Sequence, residues 1–131
     1  MKKINKTDGE WQEELSASAY TVTRKKGTET PFSGDLYFNL DNGDYNCICC
    51  GNTLFKSDDK YDSGTGWPSF FSAASNESIY TKADMSLGMS RVEALCINCD
   101  AHLGHVFDDG PKPTGKRYCI NSVALKFIKK D

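Results

Sequence analysis

Cysteine is the residue type with the widest chemical scope in this 131-residue chain, which contains six. Four of them form two C-x-x-C pairs, Cys47 with Cys50 and Cys96 with Cys99. Paired spacing of this kind is typical of a tetrahedral zinc site with four cysteine ligands. Four thiolates complete the coordination of the metal, so the predicted zinc is structural. Two disulfides, or plain buried thiols, are the alternatives that the spacing leaves open.

Cys49 and Cys119 fall outside these pairs. Cys49 could replace a neighbouring ligand, but C-x-C spacing fits less well, and we predict a bystander thiol, with redox exchange as the alternative. Cys119 lies in a segment typical of a strand, in which Arg117, Cys119 and Asn121 would share one face. A guanidinium, a thiol and an amide on one face suit catalysis, because a nearby positive charge lowers the pKa of a nucleophilic thiol.

The alternative interpretation treats Cys119 as a small buried hydrophobic residue. The two histidines of the chain, His102 and His105, favour catalysis, because the second C-x-x-C pair lies just before them and would fix their position. A histidine near a cysteine can act as its base or as a general acid toward a substrate. Asp109 follows His105 closely and could orient an imidazole. Two other interpretations remain open. The histidines could bind a second metal, or His102 could anchor the loop.

Trp67 is presented by a loop with two glycines before it and Pro68 directly after it. The glycines permit unusual backbone angles, and the proline stiffens the chain that follows. A tryptophan in a turn usually belongs to the core. An aromatic ring also attracts the methyl group and sulfur of a thioether-like ligand. We therefore predict Trp67 as one wall of a substrate site, with Phe107 as a candidate neighbour.

Composition and charge argue against several classes of protein. The formal net charge is −2 and the isoelectric point is about 5.7, so no broad attraction to nucleic acid or to an anionic membrane is expected. No apolar run approaches the ~18 residues that span a bilayer. The basic N-terminus lacks the apolar stretch of a signal peptide. We therefore expect a cytoplasmic protein, in a compartment where cysteines bind metals or react.

The elements that must position these residues are mostly strands. Thr7-Asp8-Gly9-Glu10 fits a capping box for a first short helix, and Ser16 caps a second that ends near Val22, with Gly27 closing it. Alternation over 36–40, followed by a turn at 41–43, predicts a β-hairpin. Further strands are predicted at 79–82, 89–96, 117–122 and 123–128, with loops at about 56–66, 71–77 and 108–116. No linker or internal repeat divides the chain, which predicts one domain.

Several motifs in the same order together resemble the type-B methionine sulfoxide reductases. The matching segments are Gly27-Thr28-Glu29 with Pro31-Phe32, the two C-x-x-C pairs, Gly66-Trp67-Pro68-Ser69-Phe70, His102-Leu103-Gly104-His105-Val106-Phe107 with Asp109-Gly110-Pro111, and Arg117-Tyr118-Cys119-Ile120-Asn121-Ser122. They extend over about residues 11–128. A single domain of this class is therefore expected across 1–131.

The resemblance implies a mainly β fold with two antiparallel β-sheets, short N-terminal helices and a four-cysteine zinc site that joins two loops. It implies reduction of the R epimer of methionine sulfoxide in proteins, which repairs oxidative damage. It assigns Cys119 as the nucleophile, and it places around this residue His102, His105, Asp109, Arg117, Asn121 and Trp67. Many members of the family carry a cysteine at the position of Thr65, and that cysteine resolves the oxidised nucleophile by forming a disulfide. This chain has a threonine there.

The predicted mechanism follows from these residues. Trp67 receives the methyl group of the sulfoxide, and the Cys119 thiolate, favoured by Arg117, attacks the sulfur. His105 protonates the sulfoxide oxygen, with Asp109 or His102 steadying it, and Cys119 remains as a sulfenic acid.

Thioredoxin, glutathione or another external thiol is predicted to reduce this acid, with Cys49 as a second candidate. Two rival functions are a non-enzymatic zinc-stapled β module that binds protein partners and a thiol peroxidase that uses Cys119.

Overall fold

The structure is a computed structural model that describes residue 4 and residues 6–130. Within this part of the chain, two helices precede nine strands. The elements are α1 (Asp8–Glu14), α2 (Ala17–Lys25), β1 (Gly43–Cys47), β2 (Thr53–Lys56), β3 (Lys60–Tyr61), β4 (Ser69–Phe70), β5 (Ile79–Asp84), β6 (Arg91–Cys96), β7 (His102–Phe107), β8 (Arg117–Ile120) and β9 (Leu125–Lys129). No helix among the described residues is long and apolar enough to cross a membrane. The signal-peptide prediction rests partly on residues 1–3 and 5, which lie outside the described residues.

The strands form two antiparallel sheets. The smaller sheet has three strands in the order β2-β1-β9, and the larger has six in the order β3-β4-β8-β7-β6-β5. Every pairing between neighbouring strands is antiparallel. The predicted fold class, mainly β with two antiparallel sheets and short N-terminal helices, is confirmed.

The helix starts also agree with the sequence. The Thr7 hydroxyl accepts a hydrogen bond from the Glu10 amide, and the Glu10 carboxylate accepts one from the Thr7 amide, so the predicted capping box is present. The Ser16 hydroxyl caps α2 by accepting a hydrogen bond from the Ala19 amide at 3.2 Å. This second helix continues beyond Val22, and the left-handed residue that ends it is Lys26 (φ 57°) rather than a glycine.

The predicted strand at 36–40 and hairpin turn at 41–43 are wrong. Residues 35–38 form a turn, in which Tyr37 is buried while Phe38 and Leu40 are 71% and 93% exposed. The apolar alternation therefore has no common face. Gly43 is not a turn residue, because it opens β1 and pairs with Lys129 at the end of β9. The partner of β1 on this side is a distant strand, which local periodicity does not reveal.

The four other predicted strands correspond to β5, β6, β8 and β9, with shifted ends. A short 3-10 helix at Ser122–Ala124 separates β8 from β9, so the strand predicted at 117–122 stops at Ile120. The other five strands were not predicted. Two of them, β3 and β4, are only two residues long, and β3 lies inside a predicted loop. Strands this short carry no periodic signal.

The core lies between the two sheets and consists largely of aromatic rings. Phe55 of β2 stacks on Phe70 of β4, with ring centroids 4.3 Å apart. Tyr45 of β1 meets the same ring edge-on at 5.1 Å. Ile120 of β8 and Leu103 of β7 are fully buried in this cluster. The outward faces of β7 and β8 are consequently free to carry polar groups.

Gly104 is a point of close contact between β7 and β8. A Cβ atom at this position would collide with the main-chain carbonyl of Cys119. Glycine at position 104 therefore permits the main chain of β8 to lie against β7 at Cys119.

We expect Gly104→Ala to lower the free energy of unfolding by about 1–3 kcal/mol, because the added methyl group must push β7 and β8 apart. Gly9→Ala is the matched control, since a Cβ there meets nothing closer than the Thr7 hydroxyl at 4.0 Å. This change should raise the free energy of unfolding of the protein by roughly 0.5–1 kcal/mol, because alanine favours helix. Urea denaturation of both variants measures the difference, and equal stability of the two would contradict the contact.

Candidate active site

Cys119 lies in the middle of the larger sheet. It is directly opposite His105 on β7 and Ser69 on β4. Residues directly opposite in an antiparallel pair have Cβ atoms about 4.5–5.5 Å apart and point to the same face. The thiol and the imidazole of His105 are therefore neighbours, although fourteen positions of sequence separate them.

A cavity of about 100 Å³ opens beside the thiol. Its lining consists of Thr28, Trp67, Arg91, Gly104, His105, Phe107, Cys119 and Asn121. Five of the residues predicted from the sequence therefore meet in one small space. The apolar walls come from the two aromatic rings, and the polar groups come from the imidazole, the thiol and the amide.

The Trp67 ring is held by a strap of chain that follows α2. Its indole Nε1 donates to the main-chain oxygen of Glu29 at 3.0 Å. Gly66, directly before it, has a φ of 94°, and a Cβ there would lie 2.7 Å from a side-chain carbon of Pro31. Glycine therefore suits this position for two reasons, its unusual backbone angle and its close contact with the strap.

Asn121 is buried and its amide is fully engaged with main chain. Its Oδ1 accepts from the Glu29 amide at 3.0 Å, and its Nδ2 donates to the Leu103 carbonyl at 3.0 Å. The main chain of Glu29 thus contacts both side chains: its carbonyl oxygen accepts from Trp67, and its amide donates to Asn121. The strap, the end of β8 and β7 are joined at this residue, which fixes two walls of the cavity.

Arg117 lies at the rim, two residues before the thiol on the same strand face. Its guanidinium donates from Nε and Nη2 to the carboxylate of Asp109, at 2.9 and 3.2 Å. The guanidinium carbon also lies 4.3 Å from the centroid of the Phe107 ring. Asp109 therefore orients Arg117, and the imidazole of His105 has a different carboxylate partner.

Burial raises the pKa of the Cys119 thiol above its ordinary value. The positive charge of Arg117 and a hydrogen bond from Thr65 both oppose this increase without cancelling it. Arg117 therefore acts in the direction that the sequence predicted, but desolvation outweighs it. In the free site Cys119 is a protonated thiol at neutral pH.

The partner of His105 is Asp84, at the end of β5. The His105 Nε2 lies 2.7 Å from Asp84 Oδ2, and the His102 Nδ1 lies 2.7 Å from Glu93 Oε2. A β-bulge opposite Ala94 brings the two imidazole rings to the same region, with centroids 5.4 Å apart. Burial lowers the pKa of His102, which is therefore neutral at neutral pH.

The sequence analysis missed Asp84, Glu93 and Arg91. Glu93 is fully buried in β6, directly opposite His105. The available signal was an acidic residue in the middle of a predicted apolar strand, where an unpaired charge would be costly. Asp84 had no comparable signal, because it lies just beyond the predicted end of its strand.

The four paired cysteines converge at the turn of the hairpin formed by β6 and β7. The sulfurs of Cys47, Cys50, Cys96 and Cys99 all lie within 4.8 Å of one another. The shortest separations are 3.6 Å, between Cys47 and Cys99 and between Cys50 and Cys96. A tetrahedron with Zn–S bonds of about 2.3 Å has sulfurs about 3.8 Å apart, whereas a disulfide needs about 2.0 Å. The cluster is compatible with a metal site, and all six cysteines are free thiols.

Donors surround this cluster. Arg24, Asn52 and Asn98 direct N–H groups toward the sulfurs of Cys99, Cys96 and Cys50, at 3.7, 3.9 and 3.8 Å. N–H donors of this kind stabilise negatively charged sulfur. Cys49 adjoins the cluster, and its thiol donates to the Thr23 hydroxyl at 3.4 Å. The described residues that line the cavity at Cys119 do not include it.

Comparison with known proteins places the chain in a family. The sequence model of the SelR domain matches residues 15–129. A peptide methionine sulfoxide reductase MsrB of Hahella chejuensis is 55% identical over 131 residues, which cover 100% of this chain and 94% of that protein. Enzymes of the same name from Methanosarcina barkeri and Acinetobacter baumannii are 54% and 55% identical over 126 residues, or 96% of this chain and 89% and 91% of theirs. The chain belongs to the type-B methionine sulfoxide reductases.

We expect Arg117→Met to slow the alkylation of Cys119 by iodoacetamide about two- to tenfold at a fixed, mildly alkaline pH. The physical reason is that Arg117 is the main group opposing the effect of burial on the pKa of the thiol. Mass spectrometry of the peptide that contains Cys119 follows the rate. Lys116→Met is the control, because Lys116 pairs with Asp108 at the surface and its loss should leave the rate unchanged. Faster alkylation of Cys119 in Arg117→Met would refute this account of the thiol.

Proposed function

We propose that this protein reduces the R epimer of methionine sulfoxide in oxidised proteins, with Cys119 as the nucleophile. One observation carries the proposal: a cysteine, a histidine and a tryptophan from three separate segments meet in a single cavity. Relatives that match 100% and 96% of the chain are named peptide methionine sulfoxide reductases, which supports the proposal. The activity makes the protein a repair enzyme of the oxidoreductase class.

The aromatic walls are suited to the methyl-sulfur end of the substrate. Trp67 and Phe107 flank a space of about 100 Å³, which admits a small group and excludes the rest of a bulky chain. Aromatic rings interact favourably with methyl groups and sulfur. Arg117 covers the ring of Phe107 and so keeps this wall in place. The peptide that carries the oxidised side chain stays outside, which is compatible with a protein substrate.

The Cys119 sulfur attacks the sulfur of the sulfoxide. Because Cys119 is a thiol in the free site, it brings the proton that the reaction needs, and His105 transfers this proton to the sulfoxide oxygen. The attack forms an S–S bond between Cys119 and the substrate. The oxygen then passes to Cys119 as a hydroxyl group, so that this S–S bond and the S–O bond of the substrate both break and an S–O bond to Cys119 forms. The thiol and the sulfoxide thus become a sulfenic acid and a thioether, with two electrons passing from Cys119 to the substrate sulfur.

The other predicted residues act around this transfer. Arg117, oriented by Asp109, stabilises negative charge on Cys119 as the proton leaves. Asn121 holds the end of β8 in place. His102, neutral and buried beside His105, shapes the polar side of the site.

Recycling requires a thiol from outside the chain. The Thr65 hydroxyl contacts Cys119, but an alcohol cannot form a disulfide. Cys49 is held beside the cysteine cluster by Thr23, so we rank it second. A first external thiol would form a mixed disulfide with Cys119 and release water, and a second thiol would restore the enzyme. Thioredoxin is the reductant of this kind that we propose, and six unbonded cysteines suit the reducing cytoplasm.

The cysteine cluster fits one structural zinc ion. Cys47, Cys50, Cys96 and Cys99 would hold it, and four thiolates leave no coordination position for a substrate. The metal would supply folding energy rather than chemistry. It would join the loop after β1 to the turn between β6 and β7, within a single domain that extends over 1–131.

We expect the purified protein to contain one zinc ion per chain, measured by elemental analysis. Cys50→Ser should lose the metal and lower the melting temperature, because three thiolates bind zinc more weakly than four. Cys49→Ser is the matched control and should keep the zinc ion and the melting temperature of the wild-type protein. Equal loss of zinc from Cys49→Ser and Cys50→Ser would show that Cys49 is a ligand and would revise the set.

Cys119→Ser should lower the reduction of R-methionine sulfoxide in peptides by at least about 10³-fold, since the nucleophile is gone. The wild-type protein should reduce the R epimer and leave the S epimer unchanged, as followed by chromatography of each. Cys49→Ser is the control and should turn over with either dithiothreitol or thioredoxin. Loss of only the thioredoxin-driven rate in Cys49→Ser would overturn direct recycling.

Hydrogen peroxide is the third substrate in this assay. Reduction of peroxide but of neither epimer would identify a thiol peroxidase. An absence of turnover on all three would favour a zinc-stapled β module that binds protein partners. Full activity of Cys119→Ser on the R epimer would exclude Cys119 as the nucleophile.

A further inference from the structure

Two buried carboxylates lie behind the histidines, and neither has a role in the function proposed above. Asp84 is 4% exposed and Glu93 is fully buried, while His102 and His105 are 2% and 9% exposed. Each acid contacts one imidazole nitrogen at 2.7 Å. Buried ionisable groups are costly unless they are paired, so an arrangement of two acids on two histidines requires a reason beyond packing.

The two histidines are held by different ring nitrogens. Asp84 contacts Nε2 of His105, whereas Glu93 contacts Nδ1 of His102. An ionised carboxylate can only accept a hydrogen bond, so the nitrogen that faces it must carry the proton. Hydrogen bonds from the His105 ring and from Ser86 hold the pKa of Asp84 well below its usual range, which keeps this carboxylate ionised. The nitrogen left free is therefore Nδ1 in His105 and Nε2 in His102.

The free nitrogens have different surroundings. His105 lines the cavity that contains the Cys119 thiol. The Nε2 of His102 is buried and has no hydrogen-bond partner among the described residues. His102 lines a second cavity, of about 290 Å³, which shares Thr28, Arg91 and His105 with the first. A neutral imidazole with its proton on Nδ1 has Nε2 as its hydrogen-bond acceptor.

Two cations complete the network. The Lys26 ammonium lies 3.3 Å from Glu93 and 3.8 Å from Asp84, so it pairs with both acids at once. The Arg91 guanidinium lies 3.6 Å from Asp84. Lys26 is the left-handed residue that ends α2, so the end of this helix determines where its ammonium lies. Two positive charges thereby face the two buried acids, and buried carboxylates need such partners.

We propose that Asp84 and Glu93 are positioning residues that fix the two histidines in opposite tautomers, so that His105 acts on the sulfoxide through Nδ1 while His102 serves as an acceptor through Nε2. This inference rests on the proposed function for the part that concerns the sulfoxide. The tautomers themselves do not depend on it. A carboxylate behind a catalytic imidazole selects its tautomer, and the amide of asparagine can select the wrong one.

The first test is nitrogen NMR of the intact protein with ¹⁵N-labelled histidine at neutral pH. We expect a proton on Nε2 of His105 and on Nδ1 of His102. Asp84→Asn should move the His105 proton to Nδ1, because the new amide can donate to Nε2, and should leave the tautomer of His102 unchanged. A wild-type His105 with its proton on Nδ1 would overturn the proposal directly, and this measurement needs no variant to fold.

The second test is steady-state kinetics with an R-methionine sulfoxide peptide. Asp84→Asn should lower kcat about 10–100-fold with little change in KM. The substrate would still bind, but Nδ1 of His105 would already carry a proton and could not accept the one from Cys119. Glu93→Gln should change the tautomer of His102 and affect kcat much less. Asp44→Asn is the matched control, since Asp44 lies in β1 of the smaller sheet and pairs with Lys130, 2.9 Å away.

The outcomes separate the two proposals. An unchanged kcat in an Asp84→Asn protein whose His105 tautomer has shifted would refute the role of Asp84 in the reaction. A wild-type protein with the expected tautomers but no activity on either sulfoxide epimer would instead refute the proposed function and leave the tautomer assignment intact.

Discussion

The close contact between β7 and β8 at Gly104 is the constraint on which the site depends. Since no side chain separates the two strands there, the main chain of Cys119 lies against β7 and the residue after Gly104 faces the thiol. The same residue, His105, is opposite Glu93 on the other neighbour, β6. A slip of one residue in either pairing would turn the histidine toward the aromatic core. The register of three adjacent strands therefore decides whether Glu93, His105 and the Cys119 thiol share one face of the sheet.

Burial governs the electrostatics of this site. Desolvation keeps Cys119 protonated, and it also makes every neighbouring charge depend on a partner. Arg117 has Asp109, and the acids behind the histidines have Lys26 and Arg91. In the proposed mechanism the thiol supplies the proton, so the histidine opposite need not collect one from solvent. A buried, paired network is thus consistent with a site that moves one proton over a short distance.

Some features of the fold and the site were predictable from sequence because they depend on residues that are close together in the chain. Capping at Thr7 and Ser16 follows from adjacent residues, and the alternation of Arg117, Cys119 and Asn121 follows from a single strand. The cysteine pairs are local too, so their convergence could be predicted once each pair was recognised. The acid that orients His105 was not predictable in this way: Asp109 is near in sequence, but Asp84 is near in space, two strands away across the sheet. The same limit explains the error at 36–40, where the apolar residues alternate without a buried face.

The cysteine cluster and the histidines belong to one hairpin, although no cysteine of the cluster lines the cavity at Cys119. β6 ends at Cys96, the turn carries Cys99, and β7 begins at His102. Within this turn the Cys96 amide donates to the Ala101 carbonyl at 3.0 Å, and Asp100 adopts a left-handed conformation with a φ of 62°. The other two sulfurs come from Cys47 at the end of β1 and from Cys50 in the loop that follows, so the cluster also ties the smaller sheet to this turn. A metal held there would fix the point from which β7 starts, and the bulge that brings the two histidines together lies directly after that point. Under the proposed function, a metal without an open coordination position would act on the cavity through the register of β7 and not through its own chemistry.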